Sequence, residues 1–327
     1  MRRIWCLCYI AVLLVFAQQA WAGKVLVIES YHNEFSWDQS YLRGLYGVLS
    51  PEHEIRTFEM DTKRIPEEFF ADKAEEAFAL FQEYRPDLVV LADDNANRFL
   101  APKLLGTGVP IVFLGVNNNP REYGLYGYPH VAGIIERPLL FASVNIARKI
   151  SPFAIKRVLF LFDSSETSNL VVANAFHDGT SKHICDVRAD VRQVSTVAEW
   201  MEIVRSAKKN GYDLLFVGLL QRLKDARGLC TKGESVLEWT VKNAPVPCMG
   251  LWDFSIGKGK LPAGLVHLGE YQGRAAGEIA KKLLAGERNI GVPLAVEEGV
   301  FMFSRSEAEK AGLIIPPALQ ADAVVVE

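Results

Sequence analysis

Ten short apolar runs recur along the chain after residue 23, and most are followed by a polar cluster and then by a segment of helical periodicity. The first five runs cover residues 25–28, 54–60, 88–92, 111–115 and 131–135. The second five cover residues 158–162, 190–194, 214–219, 247–252 and 265–268. Continuous Val, Ile and Leu runs of this kind are typical of parallel strands that helices cover on both faces. The pattern predicts an α/β protein with two doubly wound parallel-sheet lobes.

The segments between the runs predict the crossover helices. Residues 38–49 and 66–84 each place their apolar side chains on one face, and Thr196 and Glu199 form a capping box ahead of a helix over 200–210. The sequence Glu136-Arg137-Pro138 marks the first crossing between lobes. We therefore expect lobe 1 over residues 23–136 with a returning segment at about 270–290. We expect lobe 2 over 137–269, with the C-terminal segment 291–327 crossing back and hinge strands joining the lobes.

The N-terminus has the pattern of a secretory signal peptide. Arg2 and Arg3 precede an apolar stretch over residues 4–16, and Ala20-Trp21-Ala22 fits a small-residue cleavage site. A membrane anchor is the alternative, but a span needs about 20 apolar residues, and this stretch is shorter. The prediction is a signal peptide over residues 1–22 and a periplasmic mature protein.

Charge and cysteine content exclude several classes of function. Removal of residues 1–22 would take away two of 36 basic residues and none of the 39 acidic ones, which leaves a net charge of −5. No basic patch indicates nucleic acid, and we expect a monomer. Cys185, Cys230 and Cys248 would remain, either as one disulfide with a free thiol or as three separate thiols. No Cys or His cluster has metal-ligand spacing, so neither a metal nor a cofactor is expected.

Ligands of parallel α/β sheets bind beyond the carboxyl ends of the strands, so the residues after each run are the candidate site. Aromatic rings can stack on a flat solute, carboxylates can accept from an amine or hydroxyl, and Asn offers both donor and acceptor. The alternatives are helix capping for the acidic residues and lobe packing for the aromatic ones. In the first lobe the candidates are Ser30, Tyr31, His32, Trp37, Asp93, Asp94, Asn95 and Asn117.

The second lobe has fewer candidate ligand-binding residues, and they also follow the predicted strands. Trp252 with Asp253 is the preferred pair, because a ring can stack and a carboxylate can anchor an ammonium group. Burial under the following loop is the alternative for Trp252, and helix capping is the alternative for Asp163. The candidates here are Asp163, Ser164, Gln221, Trp252 and Asp253.

No enzyme motif is present in the chain. The sequence lacks a nucleophile elbow, a phosphate-binding P-loop, an H-E-x-x-H helix and an EF-hand loop. A secreted α/β enzyme that uses Asp93 or Asp94 with His32 remains one hypothesis, because catalytic carboxylates need no motif. We expect a protein without catalytic activity.

Several strings carry a family resemblance. VLVIESYHNEFSWDQSYLRGL, EMDTKRIPEEFF, PDLVVLADDNANRFL, VPIVFLGVNN and GEYQGRAAGEIAKKLLAGE are similar to periplasmic type I solute-binding proteins of the uncharacterised ABC-transporter substrate-binding family. They also resemble the related extracytoplasmic sensor domains of histidine kinases. The ending FMFSRSEAEKAGLIIPPAL resembles that family's terminal segment. The resemblance implies a clamshell that closes on a small solute without catalysis, with either an ABC permease or a membrane sensor as partner.

Overall fold

The computed structural model describes residues 22–327 except Pro51, Asp178, 292–293 and 296–298. The predicted signal peptide therefore lies outside the described residues, apart from Ala22. Within the described part of the chain, no helix has the length and apolar character that crossing a membrane requires.

The first sheet contains six strands in the spatial order β12-β5-β4-β3-β1-β2, and every pairing between them is parallel. Strands β1, β3 and β4 are almost completely buried, as expected for a sheet with helices on both faces. The strands are β1 Lys24–Glu29, β2 Glu54–Glu59, β3 Leu88–Ala92, β4 Ile111–Val116, β5 Val131–Ile135 and β12 Leu294–Ala295.

The second sheet contains eight strands in the order β14-β13-β11-β10-β9-β6-β8-β7. Its five central strands pair in parallel, whereas β7 is antiparallel to β8 and β13 is antiparallel to β11. The strands are β6 Arg157–Asp163, β7 Ser181–Ile184, β8 Val187–Val194, β9 Leu214–Val217, β10 Cys248–Gly250, β11 Ala263–Val266, β13 Val300–Ser304 and β14 Val324–Val326.

Ten α-helices connect the strands in the described residues. The predicted capping box is present, with Thr196 accepting from the Glu199 backbone N–H at the start of its helix. The helices are α1 Ser36–Leu49, α2 Phe70–Tyr84, α3 Asp93–Leu104, α4 Leu140–Ile150, α5 Glu166–Phe176, α6 Val197–Ser206, α7 Gly233–Asn243, α8 Gly269–Leu284, α9 Arg305–Lys310 and α10 Pro317–Gln320.

The prediction of two doubly wound parallel lobes is confirmed, and all ten apolar runs contain strand residues. The strands outside the ten runs are β7, β12, β13 and β14. Strand β7 has the sequence SKHI and is half exposed, so it shows none of the apolar character on which the prediction depended.

The chain moves between the two sheets at three places. Strand β5 of the first sheet is followed by α4, which packs against β11 of the second. Strand β11 is followed by α8, which packs on α1, β4 and β5 of the first sheet. Strands β12 and β13 then belong to the first and second sheets, respectively.

Candidate functional site

A small cavity lies between the lobes, at the carboxyl ends of the central strands. Its volume is about 20 Å³. Ten of the eleven lining residues are buried, so a solute can reach this space only when the lobes separate. We call this space the inner cavity; it is lined by Tyr31, Phe35, Trp37, Lys63, Asp93, Asn117 and Glu136 from the first lobe side, and by Thr167, Leu219, Trp252 and Phe254 from the second.

Asp93 provides an acceptor to the inner cavity. Its Oδ1 accepts a hydrogen bond of 3.1 Å from the indole N–H of Trp37, whereas its buried Oδ2 has no partner among the described residues. Burial raises the pKa of Asp93 well above its usual range, and the nearby Asp38, Glu136 and Asp94 raise it further. A side chain at Gly115 would put its Cβ 2.7 Å from Asp93 Oδ1, so this position needs glycine. A donor from a ligand would satisfy the free oxygen.

Lys63 provides a cation on the other side of the cavity. Its Nζ lies 4.0 Å from the centre of the Tyr31 ring and 4.9 Å from that of Phe35. The side chain is only 9% exposed, and within the described chain it has no hydrogen bond or carboxylate partner. Burial lowers the pKa of Lys63, and the carboxylates of Asp163, Asp93 and Asp38 oppose that effect. An anionic group would stabilise the charged form.

Glu136 follows β5 and joins the two lobes. Its Oε1 accepts from the indole N–H of Trp252 at 2.9 Å, and its Oε2 accepts from Asn117 Nδ2 at 2.9 Å. Burial raises the pKa of Glu136 to about 7, against the opposing effect of these two donors. Asn117 Oδ1 is left without a partner among the described residues and lies in the cavity wall.

The second lobe completes the wall with apolar and aromatic side chains. The Phe254 ring is 5.1 Å from that of Phe35 across the cleft, and it stacks beside Trp252 at 6.4 Å. The hydroxyl groups of Tyr31 and Thr167 are 3.5 Å apart, also across the cleft. The cavity thus combines aromatic faces from both lobes with a few polar atoms, the usual composition of a small-molecule site.

A second, more open pocket lies beyond Phe35 and Lys63, and we call it the outer pocket. It has an empty volume of about 700 Å³, part of it open to solvent. It is lined by His32, Phe35, Lys63 and Arg64 from the first lobe and by Gln221, Cys230, Thr231, Lys232, Gly233 and Glu234 from the second.

The structure brings seven of the thirteen predicted site residues to these two spaces. Five line the inner cavity, of which two follow β1 and the others follow β3, β4 and β10: Tyr31, Trp37, Asp93, Asn117 and Trp252. His32 and Gln221 line the outer pocket. His32 Nδ1 lies 3.2 Å from the Asp61 carboxylate, so this histidine is paired with neither Asp93 nor Asp94.

The other predicted residues of the first lobe hold the loops around the cavity. Ser30 Oγ donates to the Ala92 carbonyl oxygen and accepts from the Ala96 N–H. Asp94 accepts from the backbone N–H groups of Asn117 and Asn118 and from the Tyr123 hydroxyl. Asn95 donates to Thr62 Oγ1 at 2.9 Å. These contacts fix the polar turns after β3 and β4.

The remaining predicted residues of the second lobe also have protein partners. Asp163 accepts from Ser165, from the Ser168 hydroxyl and from the Arg222 backbone N–H, which makes it a turn-capping residue. Ser164 Oγ is 2.7 Å from Ser195 Oγ.

Asp253 does not line the inner cavity, although its neighbour Trp252 does. Its carboxylate accepts from the Phe254 N–H at 2.7 Å and faces the Gly269 N–H, at the start of α8, at 3.5 Å. Burial raises the pKa of Asp253 to about 6. The geometry favours the capping alternative for this residue.

Sequence reasoning missed several residues of the cavity wall. Lys63 lies four residues after β2, at a strand end where the carboxyl-end rule also places residues at the cleft. The sequence indicates Glu136 only as part of the first crossing between the lobes, and not as a residue of the cavity wall. Phe35, Leu219 and Phe254 lie in loops whose course no local pattern indicates.

The described residues contain no cluster of three His, Cys, Asp or Glu side chains that could hold a metal ion. Cys185, Cys230 and Cys248 are free thiols, of which Cys248 is buried. Of the alternatives left open by the sequence, the structure therefore shows three unpaired cysteines.

Comparison with known proteins identifies the fold. No family model matches the chain, and no curated protein sequence matches it. An ABC domain from Streptococcus pneumoniae, solved in complex with L-Trp, has a TM-score of 0.67 and 17% identity over 94% of this chain and 100% of that one. A ligand-free, open substrate-binding protein from Clostridium difficile has a TM-score of 0.62 and 13% identity over 94% and 99%.

A third similar structure is a complex of the TorS sensor domain with TorT, solved in the absence of ligand. It has a TM-score of 0.52 and 10% identity, over 85% of this chain and 90% of that one. All three likenesses extend over both lobes, but identities this low establish only the fold. The chain has the two-lobed fold of type I periplasmic binding proteins.

Proposed function

We propose that this protein is a periplasmic solute-binding protein that captures a small polar or aromatic molecule between its lobes and delivers it to an ABC transporter. The observation that carries the proposal is the inner cavity, which is closed, lined by rings from both lobes and supplied with an unpartnered acceptor at Asp93. The solute-binding proteins of similar fold support the same role. The protein supplies binding and conformational closure and no chemical step.

The wall of the inner cavity specifies a ligand with a flat ring and a hydrogen-bond donor. Tyr31, Trp37 and Trp252 provide ring faces, on which aromatic groups stack. Asp93 Oδ2 and Asn117 Oδ1 provide acceptors without protein donors. A ring that bears an amine satisfies both features, and an ammonium group would form a charge-assisted bond to the carboxylate. The L-Trp held by the Streptococcus pneumoniae protein is a molecule of this class.

The test is a thermal-shift screen of amino acids, nucleobases and nucleosides, followed by calorimetric titration of each hit. Asp93→Asn keeps an acceptor for the Trp37 indole but removes the charge, and it should weaken binding about ten- to a hundredfold. Asp253→Asn is the matched control, because it changes another buried cleft carboxylate whose oxygens face backbone N–H groups. Equal affinities of wild type and Asp93→Asn would contradict the proposed site, and chemical conversion of a hit would contradict the binding role.

The second candidate is a soluble ligand-binding input to a membrane sensor. The fold shared with the TorS–TorT complex is the observation that favours it. Uptake of a labelled ligand by cells that lack this chain separates the two roles. Transport predicts that uptake is lost, whereas a sensor input predicts unchanged uptake and an altered phosphorylation of the partner kinase.

A further inference from the structure

The inner cavity is too small to accommodate the whole of a typical ligand. Its volume of about 20 Å³, room for about one water molecule, is far below the roughly 300 to 1,000 Å³ of most small-molecule sites. Phe35 and Lys63 line both the inner cavity and the outer pocket, so the two spaces are adjacent. A ligand held in the inner cavity can therefore extend past Lys63 into the outer pocket.

The outer pocket carries features that favour an anion. The Lys63 ammonium group is buried over the Tyr31 and Phe35 rings and has no hydrogen-bond partner among the described residues, although the charges of Asp163, Asp93 and Asp38 also act on it. Across the pocket, the eleven-residue helix α7 begins at Gly233, and its N-cap residue Lys232 offers no side-chain acceptor. The backbone N–H groups of a helix N-terminus attract anions.

The other charged groups of the outer pocket do not neutralise Lys63. Arg64 is already paired with Asp61 and Glu34, at 2.7 Å each. His32 Nδ1 lies 3.2 Å from the same Asp61 carboxylate, and burial, followed by the charge of Arg64, lowers the pKa of this imidazole. Glu234, in the first turn of α7, is exposed and can turn toward solvent, and the exposed Lys232 opposes its charge.

We propose that the outer pocket is a second subsite, which holds an oxyanion of the captured solute between Lys63 of one lobe and the N-terminus of α7 of the other. The inference rests on the proposed function and extends it: the solute has a ring with a donor at one end and a carboxylate or phosphate at the other. Contact with both lobes also means that the anion binds the closed form better than the open form, so the anion promotes closure.

Inorganic phosphate and acetate are the probes, titrated calorimetrically at constant ionic strength with chloride as the balancing anion. Wild type should bind at least one of them saturably. Lys63→Met should weaken that binding at least tenfold, and Lys232→Gln, at an exposed position that cannot impair folding of the core, about threefold. Lys209→Met, an exposed lysine after α6, is the control and should change nothing. Preference for phosphate over acetate assigns the subsite to a phosphorylated solute, and the reverse assigns it to a carboxylate.

Failure of this inference is distinguishable from failure of the proposed function. No saturable anion binding by wild type, or equal affinities in wild type, Lys63→Met and Lys232→Gln, would overturn the second subsite. Capture of an aromatic ligand that still depends on Asp93 would then leave the proposed function intact. Anion binding that depends on Lys63, in a protein that binds no ring-bearing solute, would leave the second subsite standing and overturn the ring-binding role proposed for the inner cavity.

Discussion

The backbone at Asp93 determines which of two adjacent carboxylates faces the ligand. Asp93 has a left-handed conformation with φ 65°, which Asp and Asn adopt more readily than most residues. Its side chain lines the inner cavity, whereas Asp94 accepts three hydrogen bonds from the turn after β4. The sequence indicates that adjacent side chains diverge, but it does not indicate the one that faces the cleft.

Glu29 at the end of β1 is a buried carboxyl group with an unusual titration. Both of its oxygens lack partners among the described residues, and burial, followed by the charge of Glu59, raises its pKa to about 8. The folded state binds the Glu29 proton more tightly than the unfolded chain does, in which the carboxyl pKa is 4.5. The resulting stabilisation of the fold is complete below pH 4.5 and is lost as the pH rises toward 8. Glu29 is therefore largely protonated at neutral pH.

We predict that Glu29→Gln removes most of this loss of stability. Relative to the variant, the free energy of unfolding of wild type should fall by up to about 4 kcal/mol between pH 5 and pH 8, since each unit of pKa corresponds to about 1.4 kcal/mol. Urea denaturation of both proteins at several pH values measures this difference in the free energy of unfolding. Glu83→Gln, at an exposed position of α2, should retain the wild-type slope. Parallel curves for wild type and Glu29→Gln would show that Glu29 is ionised throughout.

At the residue scale, the carboxyl-end rule predicts the site only in part. It selects Trp37 and Asn117, because a strand end places the next few residues at the cleft whatever their partners are. It selects Asp163 equally, although that carboxylate caps a turn. Hydrogen-bond partners decide between the two outcomes, and these partners come from distant segments that no local pattern identifies.

At the element scale, helices α1 and α8 pack with their backbones in contact, although they are more than 200 residues apart in sequence. A Cβ atom added at Gly273 would overlap the carbonyl oxygen of Tyr41, and one added at Gly44 would overlap that of Glu270. The repeated glycines let α8 pack on α1 of the first lobe at close range.

We predict opposite effects for alanine at two helical glycines. Gly273→Ala should destabilise the protein by about 2 kcal/mol or more, because overpacking forces the backbones apart. Gly47→Ala, on the same α1 but with no atom within 4 Å of the added Cβ, should stabilise it by about 0.5 to 1 kcal/mol through helix propensity. Thermal or urea denaturation measures both. Similar effects of the two substitutions would contradict the close packing of α1 and α8.

Strands that are buried on both faces were predictable, whereas the edge strand β7 was not, for a physical reason. Strands β3 and β9 are buried on both faces and therefore carry unbroken apolar runs. Strand β7 lies at the edge of its sheet and alternates between exposed and half-buried positions, and β12 has two residues. Such strands form because a neighbour offers free backbone groups, a feature that their own sequence does not contain.

The loop after β9 connects the lobes through one side chain. The Arg222 guanidinium donates to the carbonyl oxygens of Thr62 and Ile65, at 3.3 and 2.9 Å, in the loop that carries Lys63. Its own backbone N–H is held by Asp163. Arg222 thus joins a fixed point of the second lobe to the binding loop of the first.

We predict that Arg222→Met accelerates ligand release about tenfold and leaves the association rate unchanged, because the contacts form only in the closed state. Stopped-flow measurement with the hit from the ligand screen separates the two rates. Arg227→Met is the control, since Arg227 is 78% exposed and pairs only with Asp225 of its own turn. A change in association alone would show that Arg222 acts before closure.

At the scale of the whole molecule, contacts at the cavity and contacts near the surface hold the lobes in the closed state. Arg98 pairs with Glu166 through two bonds of 2.8 Å, and Asn174 donates to the Asn117 carbonyl oxygen. Both of these contacts lie at or near the surface, where ion pairs contribute about 0 to 1 kcal/mol each. The contacts at the cavity, from Trp252 to Glu136 and from Arg222 to the loop of Lys63, are more buried. A ligand that contacts both lobes adds to them and shifts the balance further toward the closed state.

Closure in solution is the last prediction, and it follows from the sealed cavity. Because ten of its eleven lining residues are buried, the ligand-free protein must open to admit a solute, with the chain bending near residues 136–138 and 267–270. We expect a radius of gyration clearly above the roughly 20 Å of a compact chain of about 300 residues. Saturation with the ligand should lower the radius of gyration toward that value. At the same subsaturating ligand concentration, the radius of Arg222→Met should stay larger than that of wild type. Small-angle X-ray scattering across a ligand titration measures all three states, and a radius that does not change at saturation would contradict the clamshell.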